Sequence, residues 1–167
     1  MNKRLLLAAV LALSAAASFG HGDAKPAGAA GPAREQTAWG IAGDPHAARR
    51  TVTITMGDDM RFDPAAITVR QGETVHFRVR NSGKQVHEFV LGTKQELDEH
   101  AALMLKFPAM EHDEAHMAHV KPGETGDMVW NFNRAGAFEF ACLVPGHAQA
   151  GMVGKLTVTA ARGKSHE

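Results

Sequence analysis

The segment Cys142-Leu-Val-Pro-Gly-His147-Ala-Gln-Ala-Gly-Met152 sets the only cysteine of the chain, an imidazole and a thioether between two strand-like runs. A soft thiolate, an imidazole and a thioether at that spacing suit copper. Three donors need a fourth, and His87, in the run Gln85-Val-His-Glu-Phe-Val-Leu91, offers it from 55 residues upstream. His87, Cys142 and His147 then form a trigonal plane with Met152 as a weak axial ligand, the donor set of a type 1 copper centre. Zinc is the competing metal, but structural zinc sites use more thiolates or no thioether. A Cys–His nucleophile is the competing chemistry, and no Asn or Asp in a protease-like signature accompanies the pair. Singly, a buried Cys is a small core hydrophobe and a lone His or Met is structural or superficial. All four together in this order favour a metal.

A second group of donors lies in Met110-Glu-His112-Asp-Glu-Ala-His116-Met117-Ala-His119. Imidazoles four apart share a helix face, thioethers suit Cu(I), and His-rich tracts are a compositional sign of metal binding. Met110, His112, His116, Met117 and His119 are therefore candidate accessory copper ligands, against the ordinary reading of a solvated acidic loop. His21 is a further candidate: cleavage of a leader after Gly20 would put it beside a free amino terminus, and cleavage after Ser18 would put it third in Phe-Gly-His.

The elements that must position these residues read mostly as strands. Thr51 to Met56 alternates, and so does Thr74 to Arg80, with Val75, Phe77 and Val79 inward and His76, Arg78 and Arg80 outward. Further strands are expected at Ile67 to Arg70, Glu88 to Leu91, Asp127 to Phe132, Ala137 to Cys142 and Lys155 to Ala160, with turns at Gln71-Gly72, Asn81-Ser82-Gly83 and Pro122-Gly123. Period two points Phe138, Phe140 and Cys142 the same way, into an apolar interior. Thr93 to about Leu105 reads as a helix, with Thr93 as N-cap, Glu96 as its capping-box partner, Leu97 and Ala101 on one face, and Pro108 as its stop. Short strands at this spacing favour an antiparallel sandwich.

The 167 residues allow one domain with a real core. Asn2-Lys3-Arg4, the apolar run Leu5 to Ala17, and Ser18 and Gly20 read as a secretory signal peptide over residues 1–20. The apolar run is too short for a membrane span. Residues 21–50 are rich in Ala, Gly and Pro and read as a flexible arm, 51–160 as the domain and 161–167 as a tail. One cysteine in an exported protein excludes an internal disulfide. Basic and acidic residues balance at 18 each, with no basic stripe for nucleic acid.

With His87, Cys142, His147 and Met152 in this order, the chain resembles a cupredoxin of the plastocyanin and azurin superfamily over about residues 50 to 160. Its His/Met-rich segment resembles that of the periplasmic copper-tolerance cupredoxins of the CopI type. The resemblance implies an all-β, Greek-key antiparallel β-sandwich with a short helical, His/Met-rich insertion, one type 1 copper and an electron port at the ring edge of His147, where a redox protein would dock. The loop departs from both prototypes. Plastocyanin-like loops place two residues between Cys and His, and azurin places three between His and Met, whereas both intervals here hold four. Glu88 and Leu143 stand where many members have Asn after the first His and Ser or Thr after the Cys.

These features point to a soluble, exported, periplasmic copper protein that is not an enzyme. It would bind copper for tolerance or handling, with a one-electron Cu(I)/Cu(II) centre and additional copper ions on the second donor group. The alternative is a mobile electron carrier serving a redox enzyme, with the second group shaping only a docking surface. Steady oxidation of Cu(I) is a third reading, which the filled fourth donor position disfavours.

Overall fold

A computed structural model describes residues 34–108, 110 and 113–161. The expected signal peptide, the first part of the expected arm, His21, His112 and the tail beyond residue 161 lie outside the described residues. The chain forms β1 (Ile41–Ala42), a 3-10 turn (Pro45–Ala47), β2 (Arg50–Gly57), β3 (Arg61–Asp63), β4 (Ala66–Arg70), β5 (Thr74–Asn81) and β6 (His87–Gly92). Helix α1 (Lys94–Lys106) follows, then β7 (Met117–Val120), β8 (Thr125–Asn131), β9 (Gly136–Ala141) and β10 (Val153–Thr159). One sheet runs β1-β8-β5-β2-β3 and the other β4-β10-β9-β6-β7.

Alternation within the strands builds the interior between the sheets. Val75, Phe77 and Val79 are fully buried while Arg78 and Arg80 are exposed, as their period of two requires. Val52, Ile54 and Met56 of β2 and Leu156 and Val158 of β10 face the same interior. Aromatic rings fill its centre: Phe62 meets Phe140 edge-on at 5.1 Å, and Phe77 meets Phe132 at 6.0 Å. Such pairs add about 1 kcal/mol each beyond the area they bury. Gly154 permits the close approach of β10 to this cluster, because a Cβ there would lie 2.1 Å from the Phe140 ring.

A second, smaller core covers the outer face of the β6–β9 sheet. Leu97, Ala101 and Met104 of α1 pack with Val90, Met117, Ala141 and Leu143. The helix starts where its capping box predicts, with the Thr93 hydroxyl accepting from the Glu96 N–H and Glu96 accepting from the Thr93 N–H. It ends at Lys106, ahead of Pro108.

The structure corrects the sequence reading in three places. First, the sandwich is not wholly antiparallel: β2 pairs β5 and β10 pairs β4 in parallel. Between β2 and β5 the chain passes through β3 and then β4 of the other sheet, and it returns in its original direction. Second, the described residues of the His/Met-rich segment are not helical. Residues 115–116 form a turn, and Met117–Val120 is strand β7, too short for its alternation to stand out among histidines. Third, the later part of the expected arm packs on the sandwich, from the bridge of Thr37 with Gly40 onward. Ile41 and Ala42 pair with β8, and Trp39 is buried with its carbonyl accepting from the Trp130 indole N–H at 3.2 Å. A segment poor in periodicity is held by one large aromatic side chain, a signal that an Ala, Gly and Pro count does not register.

Replacing that side chain measures the attachment. Trp39→Ala should lower the unfolding free energy of the metal-free protein in urea by about 3 kcal/mol. A loss below about 0.5 kcal/mol would return residues 34–50 to the status of a free arm.

Candidate metal centre

Two neighbouring strands bring the donors together. β6 pairs antiparallel with β9, Val90 opposite Ala141 and Leu91 opposite Phe140, so His87 at the start of β6 lies beside Cys142 just past the end of β9. Phe89 and Phe140, two residues from His87 and Cys142 along their strands, are both fully buried and anchor those strands in the central aromatic cluster. The alternation that points them inward points the two donors inward too.

The loop from Cys142 to Met152 is folded onto itself by backbone hydrogen bonds. His147 N–H donates to the Val144 carbonyl at 3.0 Å, Ala150 N–H to Gly146 at 3.0 Å and Met152 N–H to His147 at 3.0 Å. Cys142 N–H closes the loop on the Met152 carbonyl at 3.1 Å. Gly146 sits at φ +90, a left-handed conformation that a Cβ would strain. The two four-residue intervals thus form consecutive turns that return Met152 beside Cys142.

His87, Cys142 and His147 offer donor atoms that all lie within 4.8 Å of one another, and all three residues are buried. Among the described residues this is the one group of three or more His, Cys, Asp or Glu so arranged. Nδ1 of His147 is 3.3 Å from Cys142 Sγ and Nδ1 of His87 is 3.9 Å from it. The imidazole rings stand 5.0 Å apart. Met152 is fully buried in the same core as Cys142.

The surroundings orient these groups. On its other side His87 places Nε2 3.4 Å from Asp58 Oδ1. A proton on Nε2 leaves the Nδ1 lone pair facing the sulfur, the usual outer-shell pattern for a metal-binding histidine. Asp58 is itself held by the backbone N–H groups of Lys84 and Gln85, and the Lys84 bond above all lowers its pKa. The Glu88 N–H donates to Cys142 Sγ at 3.3 Å. Buried Asn81 pins the approach to His87: its amide donates to the carbonyls of Gln85 at 2.7 Å and Val120 at 2.9 Å, and its oxygen accepts from Gly83 N–H.

Burial pushes the Cys142 thiol up to about 12, with the Glu88 N–H acting weakly the other way. It also lowers the pKa of His147, helped by the neighbouring His87. A buried sulfur faced by two ring nitrogens is an arrangement of electron pairs that a soft or borderline cation completes. The donor chemistry fits copper.

Sequence reasoning singled out His87, Cys142, His147 and Met152, of which the structure groups the first three, and it missed Asp58, Asn81 and the Glu88 N–H. No motif links Asp58 or Asn81 to His87, and a backbone donor leaves no trace in residue types. The second donor group is dispersed. Met117 is buried among the apolar side chains beneath α1, His119 Nδ1 is 3.1 Å from Glu88 Oε1, and His116 stands edge-on to Trp39 at 5.5 Å. Met110 is exposed.

The pKa shifts set the stability of the metal-free protein. The fold disfavours protonated His147, so the unfolded chain binds the extra proton and stability falls as pH drops through about 6.5. The fold keeps Cys142 protonated while the unfolded thiol ionises near 9.0, so stability also falls as pH rises from there toward about 12. Urea midpoints across this range should form a dome whose alkaline limb flattens in Cys142→Ala; an unchanged alkaline limb would contradict the buried thiol.

A family model for copper-binding proteins of the plastocyanin/azurin family matches residues 48–159. The chain is 48% identical over 154 residues to the copper-resistant cuproprotein CopI of Rubrivivax gelatinosus, covering 92% of this chain and 93% of that protein. It is 36% identical over 193 residues to the protein of the same name from Pseudomonas aeruginosa, covering 93% and 97%. Among solved structures it is similar to auracyanin A, a "blue" copper protein of Chloroflexus aurantiacus, with a TM-score of 0.56 and 30% identity over 65% of this chain and 98% of that one.

Proposed function

The chain belongs to the plastocyanin/azurin family of copper-binding proteins, and from that premise we propose that it is a periplasmic copper-tolerance protein built on one type 1 centre. Copper is its cofactor. The observation behind the centre is the convergence of His87 Nδ1 and His147 Nδ1 on the buried Cys142 sulfur. In this reading His87, Cys142 and His147 are the strong ligands and Met152 the weak fourth. Bound copper supplies one-electron exchange between Cu(I) and Cu(II).

The protein's part is to hold the donors still and dry. Asp58 sets the His87 ring, the Glu88 N–H bonds the sulfur, and the aromatic core keeps water from Cys142. Fixed donors reduce the rearrangement that accompanies each electron. Of the two buried histidines His147 is the less enclosed, at 7% exposure against 0% for His87, which supports its ring edge as the electron port. With Met152 as fourth donor no position remains for a substrate, which supports a binding and redox role over an enzyme. The relatives' names and the second donor group support copper handling, with further copper held outside the centre. No helix among the described residues is long and apolar enough to cross a membrane.

One observation favours the second reading, a mobile electron carrier. Leu103, Leu105 and Phe107 are exposed at the end of α1, whose buried Met104 shares the small core with Leu143 of the ligand loop. A redox protein could dock on such a surface.

Copper titration separates the two. The metal-free protein should develop a strong thiolate-to-copper visible band that saturates at one equivalent and is absent in Cys142→Ala, with more copper bound beyond it. Binding that stops at one equivalent favours the carrier. Absence of the band in the parent protein sinks the type 1 centre.

A further inference from the structure

The turn from Gly57 to Arg61, between β2 and β3, touches both arms of the candidate centre. Asp58 Oδ1 is 3.4 Å from Nε2 of His87, and three residues on Arg61 donates to the Ala150 carbonyl of the ligand loop at 3.1 Å. The turn is tied to the connection that leads into β6. The N–H and the hydroxyl of Ser82 both donate to the Met56 carbonyl at 2.9 Å, and Met60 N–H closes the turn on the Gly57 carbonyl at 3.1 Å. Met60 sits at φ 58, a left-handed conformation that a side chain disfavours, inside the turn that aims Asp58.

The carboxylate has a place made for it. Lys84 N–H reaches both of its oxygens, at 3.0 and 2.8 Å, and Gln85 N–H reaches Oδ1 at 3.2 Å. A Cβ on Gly83 would lie 2.2 Å from Oδ1, so glycine there leaves the room that the carboxylate fills. Among the described residues no lysine or arginine forms an ion pair with Asp58, and its ionic partner is His87. A partly exposed carboxyl that accepts these amide protons is ionised at neutral pH.

This negative charge acts on a ring with no exposed surface of its own. His87 is fully buried, and its ring carries the effect from Nε2 to Nδ1, the nitrogen that faces the Cys142 sulfur. A carboxylate on the far nitrogen raises the basicity of a ligating imidazole. With Cys142 as thiolate, two negative charges then border the centre. Cu(II) balances both, whereas Cu(I) leaves one unbalanced against an apolar core, which the low-dielectric interior disfavours.

We propose that Asp58 is a charge-supplying positioning residue that fixes His87 with its proton on Nε2 and biases bound copper toward Cu(II), lowering the reduction potential of the centre. The inference rests on the type 1 reading and adds to it a preferred oxidation state. The bias opposes the preference of a thiolate and a thioether for Cu(I).

Asp58→Asn removes the charge and keeps the shape. The copper-loaded variant should show the visible band of the parent and a reduction potential higher by about 59 mV, the equivalent of a tenfold greater loss of Cu(II) than of Cu(I) affinity for a one-electron couple. Asp59→Asn, which removes the same charge one residue away, should move the potential far less. A potential that is unchanged or lower in Asp58→Asn, or that rises equally in Asp59→Asn, overturns the proposal. A second measurement needs no copper: imidazole nitrogen NMR of the metal-free parent at mildly alkaline pH should find His87 protonated on Nε2. A proton on Nδ1 instead overturns the proposal as well. A parent that takes up copper without the visible band sinks the type 1 reading, and the His87 tautomer then decides the role of Asp58 by itself.

Discussion

The Glu88 N–H that reaches the Cys142 sulfur across 3.3 Å joins the two strands on which the candidate centre depends. A sulfur with no exposed surface, in an interior of phenylalanines, cannot be ionised without nearby donors and a cation to balance it. The register of β6 on β9 brings that N–H and the His87 ring to the sulfur together, and the cross-strand contact of Phe89 with Phe140 keeps the register from slipping. The ligand loop then has only to return His147 and Met152 to a place already prepared.

Alternation along β6 and β9 also explains why two departures from the family pattern are tolerated. His87 and Glu88 are consecutive, so their side chains face opposite sides of the sheet. The Glu88 carboxylate lies on the outer face against His119, while its backbone N–H still serves the sulfur. Leu143 likewise follows Cys142 and turns into the small core beneath α1. A residue change at either position is thus felt mainly in the outer layer. Asn81, at the end of β5, bonds the connection before His87 to β7.

That outer layer also divides the His/Met-rich segment. Read along the chain, its histidines and methionines look like one cluster. In the fold, Met117 fills the small core, His119 meets Glu88, and His116 faces the tryptophans. The segment's chemistry is distributed by the pleat of β7 and by the turn before it, so proximity in sequence is a poor guide to proximity of donors.

How much could be read in advance follows from how local each signal is. The types and order of His87, Cys142, His147 and Met152, the inward faces of β5 and β9, and the capping box at Thr93 are properties of short windows, and the chain alone determined them. The parallel pairings, the burial of Trp39, the contact of Asp58 with His87, the bond from Glu88 to the sulfur and the separation of His116 from Met117 join residues far apart or depend on which face a strand presents. Only tertiary structure decided them, because a window of sequence specifies which groups are available and packing specifies which of them meet.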